Sequence, residues 1–377
     1  MKVRFRKDQI LQLLSANLGI LEKKNTQPIL NYLYFQADKN GKVITKATNY
    51  DISLLCEYEY DVIEEGTILL PCKSLYEIAK ELPQDEDITI WTQENDRINI
   101  VCGTIFFKII GIESTQFPLF PEFEGEHFKI STIKLRTMID KVLFASSIDN
   151  TRYNLNGIFF ERIRKNDSYF LRMVATDGHR LSLVDIVCDD DNNIDVGRGI
   201  ILQRKGVIEL RKLLDINIDN INIIIQNNQM MANIGNSIIY IRLVDGEFPD
   251  YEMVIPKLND KMFRVRKSLF LNAIKRVSIL PNISFGNKSK SIQFKVTNGK
   301  LLIFTSQQET GEAKEEINID YSGNEIIVGF NGKYIIDILN ACYGEWIIVK
   351  LSDQLTAGII HDGDMIDHLN VIMPIRI

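Results

Sequence analysis

The sequence predicts an α+β protein in which one unit of about 130 residues is used three times, each unit two helices packed on antiparallel sheet. Three observations predict it. Phe117-Pro118 and Phe248-Pro249 stand 131 positions apart, inside the similar segments FPLFPEF (117–123) and FPDYEMV (248–254). Each third of the chain carries two helix-period stretches in the same order. Between them the chain reads as short alternating strands separated by turn residues.

Taken in order, the first unit opens with a helix-period stretch over 7–24. The strands KVITKAT (42–48) and ISLLCEYEY (52–60) follow, then a second helix over 72–82. DITIWTQ, RINIVCG and IFFKIIG complete the unit, with Asn-Gly, Glu-Glu-Gly and Glu-Asn-Asp as turns. The second unit has helical stretches over 129–149 and 203–215. The third has them over 264–282 and 331–345, and in the former Leu269, Phe270, Ala273, Ile274, Val277 and Leu280 make one apolar face. Boundaries at the Phe-Pro segments divide the chain into domains 1–125, 126–253 and 254–377.

Composition excludes several classes. A hydrophobic fraction of 45% with 25% charged residues is that of a globular protein. The start, MKVRFRKDQILQLL, has no apolar run leading to a small-residue cleavage site, and no stretch nears 18 apolar residues, so neither a secretory signal nor a membrane span is expected. Five dispersed cysteines without a C-x-x-C read as unpaired thiols of a reducing, cytoplasmic compartment.

The net charge of −6 does not favour nucleic acid, but the charge is segregated. The six helical windows together carry +9, leaving −15 on the other 280 residues, and the 264–282 stretch has five basic residues and no acidic one. Basic helices on an acidic protein are suited to following a phosphate backbone.

The stretch VATDGHRLSLVD (174–185) holds Asp177, His179, Arg180 and Ser182, the residue types of a hydrolase centre. Alternation on both sides of Asp177-Gly178 makes it a hairpin first. Its Asp, His and Ser sit on or beside one turn, and no G-x-S-x-G elbow or P-loop accompanies them. The residues alone leave open a hydrolase, a repeat-built scaffold that never meets DNA, and a DNA-associated scaffold. Elsewhere, HDGDMIDH (361–368) reads as a polar loop before the last strand rather than a metal site, and CDDDNNID (188–195) as a solvated acidic loop.

TRYNLNGIFFE (151–161), VATDGHRLSLVD, QRKGVIEL (203–210), LVDGEFPDYEMVIP (243–256), GFNGKYIIDILNA (329–341) and the terminal VIMPIRI resemble, in order and over the whole chain, the bacterial DNA polymerase III beta subunit family. The resemblance implies three repeated DNA-clamp domains forming a ring as a head-to-tail homodimer around duplex DNA. It implies no catalytic residue, no metal and no cofactor. Expected partners are duplex DNA, the replicative polymerase catalytic subunit, the clamp loader, and other polymerases, mismatch-repair proteins and ligases that carry a short clamp-binding peptide, with no membrane. By the same resemblance a peptide pocket between domains 2 and 3 comprises Leu155, Thr176, Gly178, His179, Arg180, Leu181, Pro249, Val254, Asn331, Tyr334, Val371, Met373, Pro374 and Arg376. DNA contacts fall on Lys24, Arg152, Tyr153, Arg204 and Lys205, and the ring seam on Phe107, Ile109, Ile279 and Leu280. Asn154 and Asp149 depart from the family pattern, which puts DNA contacts at that loop in doubt.

Overall fold

A computed structural model describes the chain apart from residues 22–26, 122–126, 150, 189–195, 216, 227, 281–290, 308–310, 364 and 377. The first repeat runs β1 (Lys2–Phe5), α1 (Lys7–Leu18), β2 (Tyr32–Ala37), β3 (Lys42–Thr48), β4 (Ile52–Glu59), β5 (Asp61–Glu64), β6 (Gly66–Pro71), α2 (Cys72–Glu81), β7 (Ile88–Thr92), β8 (Arg97–Cys102), β9 (Ile105–Ile110). The second runs β10 (Phe128–Ser131), α3 (Thr132–Val142), β11 (Gly157–Lys165), β12 (Ser168–Thr176), β13 (Arg180–Val187), β14 (Ile200–Gln203), α4 (Arg204–Leu213), β15 (Asn220–Gln226), β16 (Gln229–Ile234), β17 (Ser237–Arg242). The third runs β18 (Lys261–Arg266), α5 (Lys267–Val277), β19 (Ser291–Thr297), β20 (Lys300–Gln307), β21 (Gly311–Asn318), β22 (Ile326–Asn331), α6 (Gly332–Ala341), β23 (Trp346–Leu351), β24 (Gly358–Asp362), β25 (Met365–Ile372). Among these strands and helices, β5 is the one without a counterpart in the other two repeats. The repeat read from the Phe-Pro segments and the paired helices thus extends to the strands between them.

Packing divides the chain differently from the repeats. One compact unit, residues 1–133 with 205–243, holds a five-stranded sheet ordered β5-β1-β7-β8-β9 and an eight-stranded sheet ordered β10-β15-β16-β17-β4-β3-β2-β6. The other, residues 134–204 with 244–377, holds an eight-stranded sheet ordered β14-β11-β12-β13-β25-β24-β23-β18 and a four-stranded sheet ordered β21-β20-β19-β22. In each eight-stranded sheet half of one repeat continues into half of the next, through β17 on β4 or β25 on β13. Continuous backbone pairing at these joins makes each sheet one packing unit, although it spans two repeats.

The helices are shorter than their periodicity suggested. Residues 129–131 and 264–266 belong to β10 and β18, because Phe128 and Ile130, like Phe263 and Val265, are buried alternately with period two before the chain turns directly into a helix. On α5 the buried face is Phe270, Ala273, Ile274 and Val277; Leu269 is about half exposed, one position off that face, and Leu280 lies beyond the helix end. These residues pack with Phe294 and Phe330, whose rings follow Phe270 at centroid spacings of 5.6 Å each. Burying each such ring contributes roughly 1.5–3 kcal/mol. In the first repeat β1, β2, β5 and β6 were not singled out in the sequence: β1 and β5 are four residues long, and YLYFQA of β2 alternates in burial but not in polarity. At the Glu-Asn-Asp turn, Asn95 and Asp96 both take positive φ, 60° and 54°, as a tight hairpin requires. The five cysteines are buried and in no disulfide, and no helix among the described residues is long and apolar enough to cross a membrane.

Candidate functional site

The hairpin β12–β13 is built by its own turn residues. Gly178 sits at φ 87°, where a side chain is strained. Asp177 Oδ1 accepts from the backbone N–H of His179 and Arg180, at 2.9 and 3.1 Å, and Thr176 Oγ1 donates to the Arg180 carbonyl at 2.6 Å. Arg180 is the hub. Its guanidinium donates to Asp177 at 3.1 Å, to Asp337 at 2.7 Å and to the Phe144 carbonyl at 2.7 Å, and it stacks 4.4 Å over the Tyr334 ring. A rigid five-donor fork suits this role where an ammonium does not. Burial, with Asp177 nearby, raises the Tyr334 pKa, and His179 lies over the same ring at 6.5 Å.

Two further segments complete the surface. Arg172, clamped by two hydrogen bonds to Asp185 at 2.7 and 2.8 Å, donates to the Tyr251 hydroxyl at 2.9 Å. This pins the short turn Tyr251–Val254, leaving Val254 about half exposed beside the exposed Pro249. Phe248 stacks on Phe159 at 5.0 Å. The tail is held at two points, Met373 N–H to the His179 carbonyl at 2.9 Å and Ile375 N–H to the Gly329 carbonyl at 2.8 Å. Between them the Met373 side chain is 44% exposed, so a fixed backbone presents a free apolar group. Leu181 and Val371 face each other across the β13–β25 ladder in a buried cluster with Val174, Leu183 and Tyr251. They lie beneath the surface, while Val254, Met373 and Pro249 lie on it. The tail is thus a core strand to Ile372 and a surface from Met373 onward. Leu155 ends a short turn, Tyr153–Leu155, half-buried; Pro374 is half-buried and Arg376 exposed.

A cleft of about 690 Å³ opens beside the hairpin turn; Pro249, Val254 and Met373 are not among its lining residues. His179, Arg180, Asn331 and Tyr334 line it together with Arg152 and Arg204, so residues assigned to peptide and to DNA share one cavity. Arg204 donates to Ser146 Oγ at 3.0 Å, and burial lowers its pKa. Asp177 and Asp337 also line the cleft, but both are engaged by Arg180. Asp149 faces it as well; hydrogen bonds from the Thr151 N–H and hydroxyl hold its pKa below the usual carboxylate range. Asn154 donates to the Glu247 carbonyl at 3.1 Å and ties its loop to the segment before Phe248. Tyr153 is exposed, Lys205 is half-buried in the other packing unit, and Lys24 lies outside the described residues. Asp337 and Phe144 escaped the sequence reading. Asp337 was accessible to it, standing three residues after Tyr334 on one helical face.

Ser182 belongs to a different constellation. It is fully buried, donates to the Lys141 carbonyl at 2.7 Å and lies 3.2 Å from His368 Nε2, remote from any role with the turn residues Asp177 and His179. The stretch 361–368 is not the polar loop expected: it belongs to the β24–β25 hairpin and places Asp362 and His368 in the core. Cys342, Asp362 and His368 come together there with metal-like spacing, yet a cation already fills the space. The Lys141 ammonium donates to Asp362 at 3.2 Å, the Ala341 carbonyl at 3.2 Å and His368 Nδ1 at 3.4 Å, beneath the Tyr343 ring at 4.3 Å. All three ammonium protons are used. Of the acidic stretch 188–195, residues 189–195 lie outside the described residues.

The residues expected at a seam occupy sheet-edge and helix-end surfaces. Phe107 is exposed and Ile109 half-buried on β9, at the edge of its sheet; Ile279 is exposed and Leu280 half-buried just after α5.

Three like domains with edge-to-edge sheet joins, carrying a cleft walled by a turn and an arginine hub with the tail pinned to that turn, define a clamp-type scaffold. Family models of the DNA polymerase III beta subunit match it along its length: the N-terminal domain at 1–121, the central domain at 129–250 and the C-terminal domain at 252–376. The beta sliding clamp of Pseudomonas aeruginosa is 31% identical over 381 residues, and that of Haemophilus influenzae 30% over 379, each covering 100% of both chains. The sliding clamp of Bartonella birtlesii, solved bound to griselimycin, superposes with a TM-score of 0.91 at 32% identity and 100% coverage of both chains. That of Caulobacter crescentus, with PEG bound to a putative beta-motif tethering region, gives 0.91 at 28%, covering 100% of this chain and 99% of that one. The chain belongs to the DNA polymerase III beta subunit family, the sliding clamps of DNA replication.

Proposed function

We propose that two protomers, each of clamp domains 1–125, 126–253 and 254–377, close head to tail into a ring that holds duplex DNA by enclosure. The ring tethers the replicative polymerase, and other DNA-processing proteins take turns on it. Nothing in this role requires bond chemistry, a metal or a cofactor. Arg152, Arg204, Lys205 and Lys24 meet phosphates, which position DNA without reading its sequence. Direct affinity is therefore weak and salt-dependent, and retention on a closed circle outlasts it.

Partners dock a short segment of the Gln-Leu-x-Leu-Phe type on the surface between the 177–179 turn, the 249–254 segment and the 371–376 tail. The observation that carries this reading is the exposed Met373 side chain on a backbone fixed by His179 and Gly329. The proposed surface adds apolar groups, Val254 and Pro249, and a few polar handles, Asn331 and His179, the composition of a peptide site. Few anchors set an isolated peptide near micromolar affinity, about −8 kcal/mol. Met373→Asp places an unpaired charge against the docked apolar groups and costs ~2–4 kcal/mol of binding, roughly 30- to 1000-fold. Calorimetry with such a peptide tests this; wild-type affinity in the variant refutes the pocket, and loss of dimer mass along with peptide binding assigns Met373 to the fold instead.

A further inference from the structure

We propose that residues 116–120 are a copy, carried by this chain itself, of the segment that its partners dock, and that the peptide surface of a copy in another ring takes it up. The proposal rests on the peptide-docking reading above and names one further ligand for that surface. Rings at high concentration then occupy one another's peptide surfaces, and a partner that adds contacts of its own displaces them.

Gln116-Phe117-Pro118-Leu119-Phe120 follows the Gln-Leu-x-Leu-Phe type, with Phe in place of the first Leu and Pro at the free position. The fold does not ask for this sequence. At the corresponding place in the second repeat, Phe248-Pro249-Asp250-Tyr251 keeps both rings and the proline, but an exposed aspartate stands where the first repeat has Leu119. Glu247 likewise stands where the first repeat has Gln116. The two positions that change character are the amide and the leucine of the docking type.

The fold holds the segment ready. Phe117 packs on Tyr34 and Phe120 on Tyr240, each with ring centroids 5.4 Å apart, and the Lys46 ammonium lies 5.0 Å from the Tyr34 ring and 5.7 Å from the Phe120 ring. Between these two contacts Leu119 is 99% exposed, and Gln116 is exposed ahead of them. Phe117 is extended, at φ −69° and ψ 138°, and Pro118 and Pro121 each disfavour helical backbone at the residue before them. A segment already extended loses little conformational freedom on docking. Phe120 is the anchor that must move, since its ring has to leave Tyr240 to enter an apolar floor. That step sets association between rings below the affinity of the free segment. Charge favours the same pairing. With Gln116 placed at Asn331, the exposed Glu113 falls toward Arg152, Arg204 and Lys333, which line the cleft beside Asn331.

Calorimetry of the full chain with a synthetic peptide spanning 114–121 tests the ligand. We expect a dissociation constant within about tenfold of that of a Gln-Leu-x-Leu-Phe peptide, competition between the two, and a loss of about tenfold or more when the peptide carries Leu119→Ala. A silent 114–121 peptide beside a Gln-Leu-x-Leu-Phe peptide that binds overturns the proposal and leaves the pocket standing. Silence of both overturns the pocket reading itself. Sedimentation of the full chain tests the occupant. At concentrations well above the peptide's dissociation constant, wild-type protein should form species heavier than the ring. Leu119→Asp, a change at an exposed side chain, should abolish them with the urea midpoint kept, and Met373→Asp should abolish them as well. Heavier species that persist in either variant overturn the proposed contact. Wild-type protein of ring mass at every concentration, while the 114–121 peptide binds, overturns the second copy as the occupant.

Discussion

Replacing His368 by glutamine should remove one proton's worth of pH dependence from the stability of this protein. His368 is fully buried, with Nδ1 3.4 Å from the Lys141 ammonium and Nε2 3.2 Å from Ser182 Oγ. An ammonium beside Nδ1 fixes that nitrogen as an acceptor and puts the ring proton on Nε2. Burial, then the Lys141 charge, pushes the imidazole pKa down to about 3. The ring therefore stays neutral in the folded chain below pH 6.5, where the unfolded chain takes up a proton. Its contribution is fully present above about pH 6.5 and is lost as pH falls toward 3. Each unit in that window costs about 1.4 kcal/mol, so from pH 6.5 to 4.5 the loss is ~2–3 kcal/mol. His361, lowered by burial and by Lys350, acts in the same direction, which is why the difference between two proteins is the proper measure. Urea midpoints from pH 4.5 to 7, followed through Trp346 in a Trp91→Phe background, give that difference. Glutamine should lower stability at pH 7 yet flatten its fall below pH 6.5. Parallel curves for the two proteins would refute the neutral imidazole as the partner of Lys141.

Lys141→Met leaves Asp362 buried without its cation and should destabilise the fold by ~3–5 kcal/mol, while adding Asp362→Asn should recover part of the loss in urea denaturation. Arg180→Lys cannot reach Asp177, Asp337 and the Phe144 carbonyl together. Peptide affinity by calorimetry should fall while dimer mass is kept, and unchanged affinity would show that the hub does not shape the groove. Neutralising Arg152 and Arg204 to glutamine should reduce the slope of log affinity for linear duplex DNA against log salt by up to about 2, without creating sequence preference; an unchanged slope removes both from the phosphate path.

The repeat, both helices of each unit and the 174–185 hairpin were legible because each rests on local signals: a period of 3.6, a period of two, an Asp-Gly turn. The boundaries were not, since β10 and β18 run directly into α3 and α5, and Lys129 or Arg264 fits either pattern. The fate of Ser182, Asp362 and His368 was not legible either. What buries them is Lys141, 41 to 227 positions away, and a lone lysine on a helix-period stretch reads as solvated surface. The same holds for Arg180. Its sequence neighbours disclose Asp177, but Phe144 and Asp337 reach it only through the fold. The split between Val371 as core and Met373 as surface depends on where β25 stops, which no periodicity in VIMPIRI marks.

Corresponding joins in one repeated scaffold carry different chemistry, and this accounts for where the groove lies. On the face that bears the 174–185 motif, the β13–β25 join pairs Leu181 with Val371, an apolar couple that supports Tyr251, Ala357 and the segment around Val254. The equivalent couple at β4–β17 is Ser53 with Tyr240, and the Tyr240 ring is already capped by Phe120 at 5.4 Å. Of the two, the first leaves an apolar floor, the one that the proposed peptide would extend. On the helix-facing side the order of polarity reverses: Leu54 with Ile239 is apolar, whereas Ser182 with Asn370 is polar and is completed by His368 and Lys141. An edge strand carrying Ile239 brings none of the third repeat's partners, so misjoining β13 leaves the buried Lys141 ammonium without Asp362, His368 and the Ala341 carbonyl. The buried polar cluster thus keeps β13 for β25, and with it keeps the groove at one join per chain.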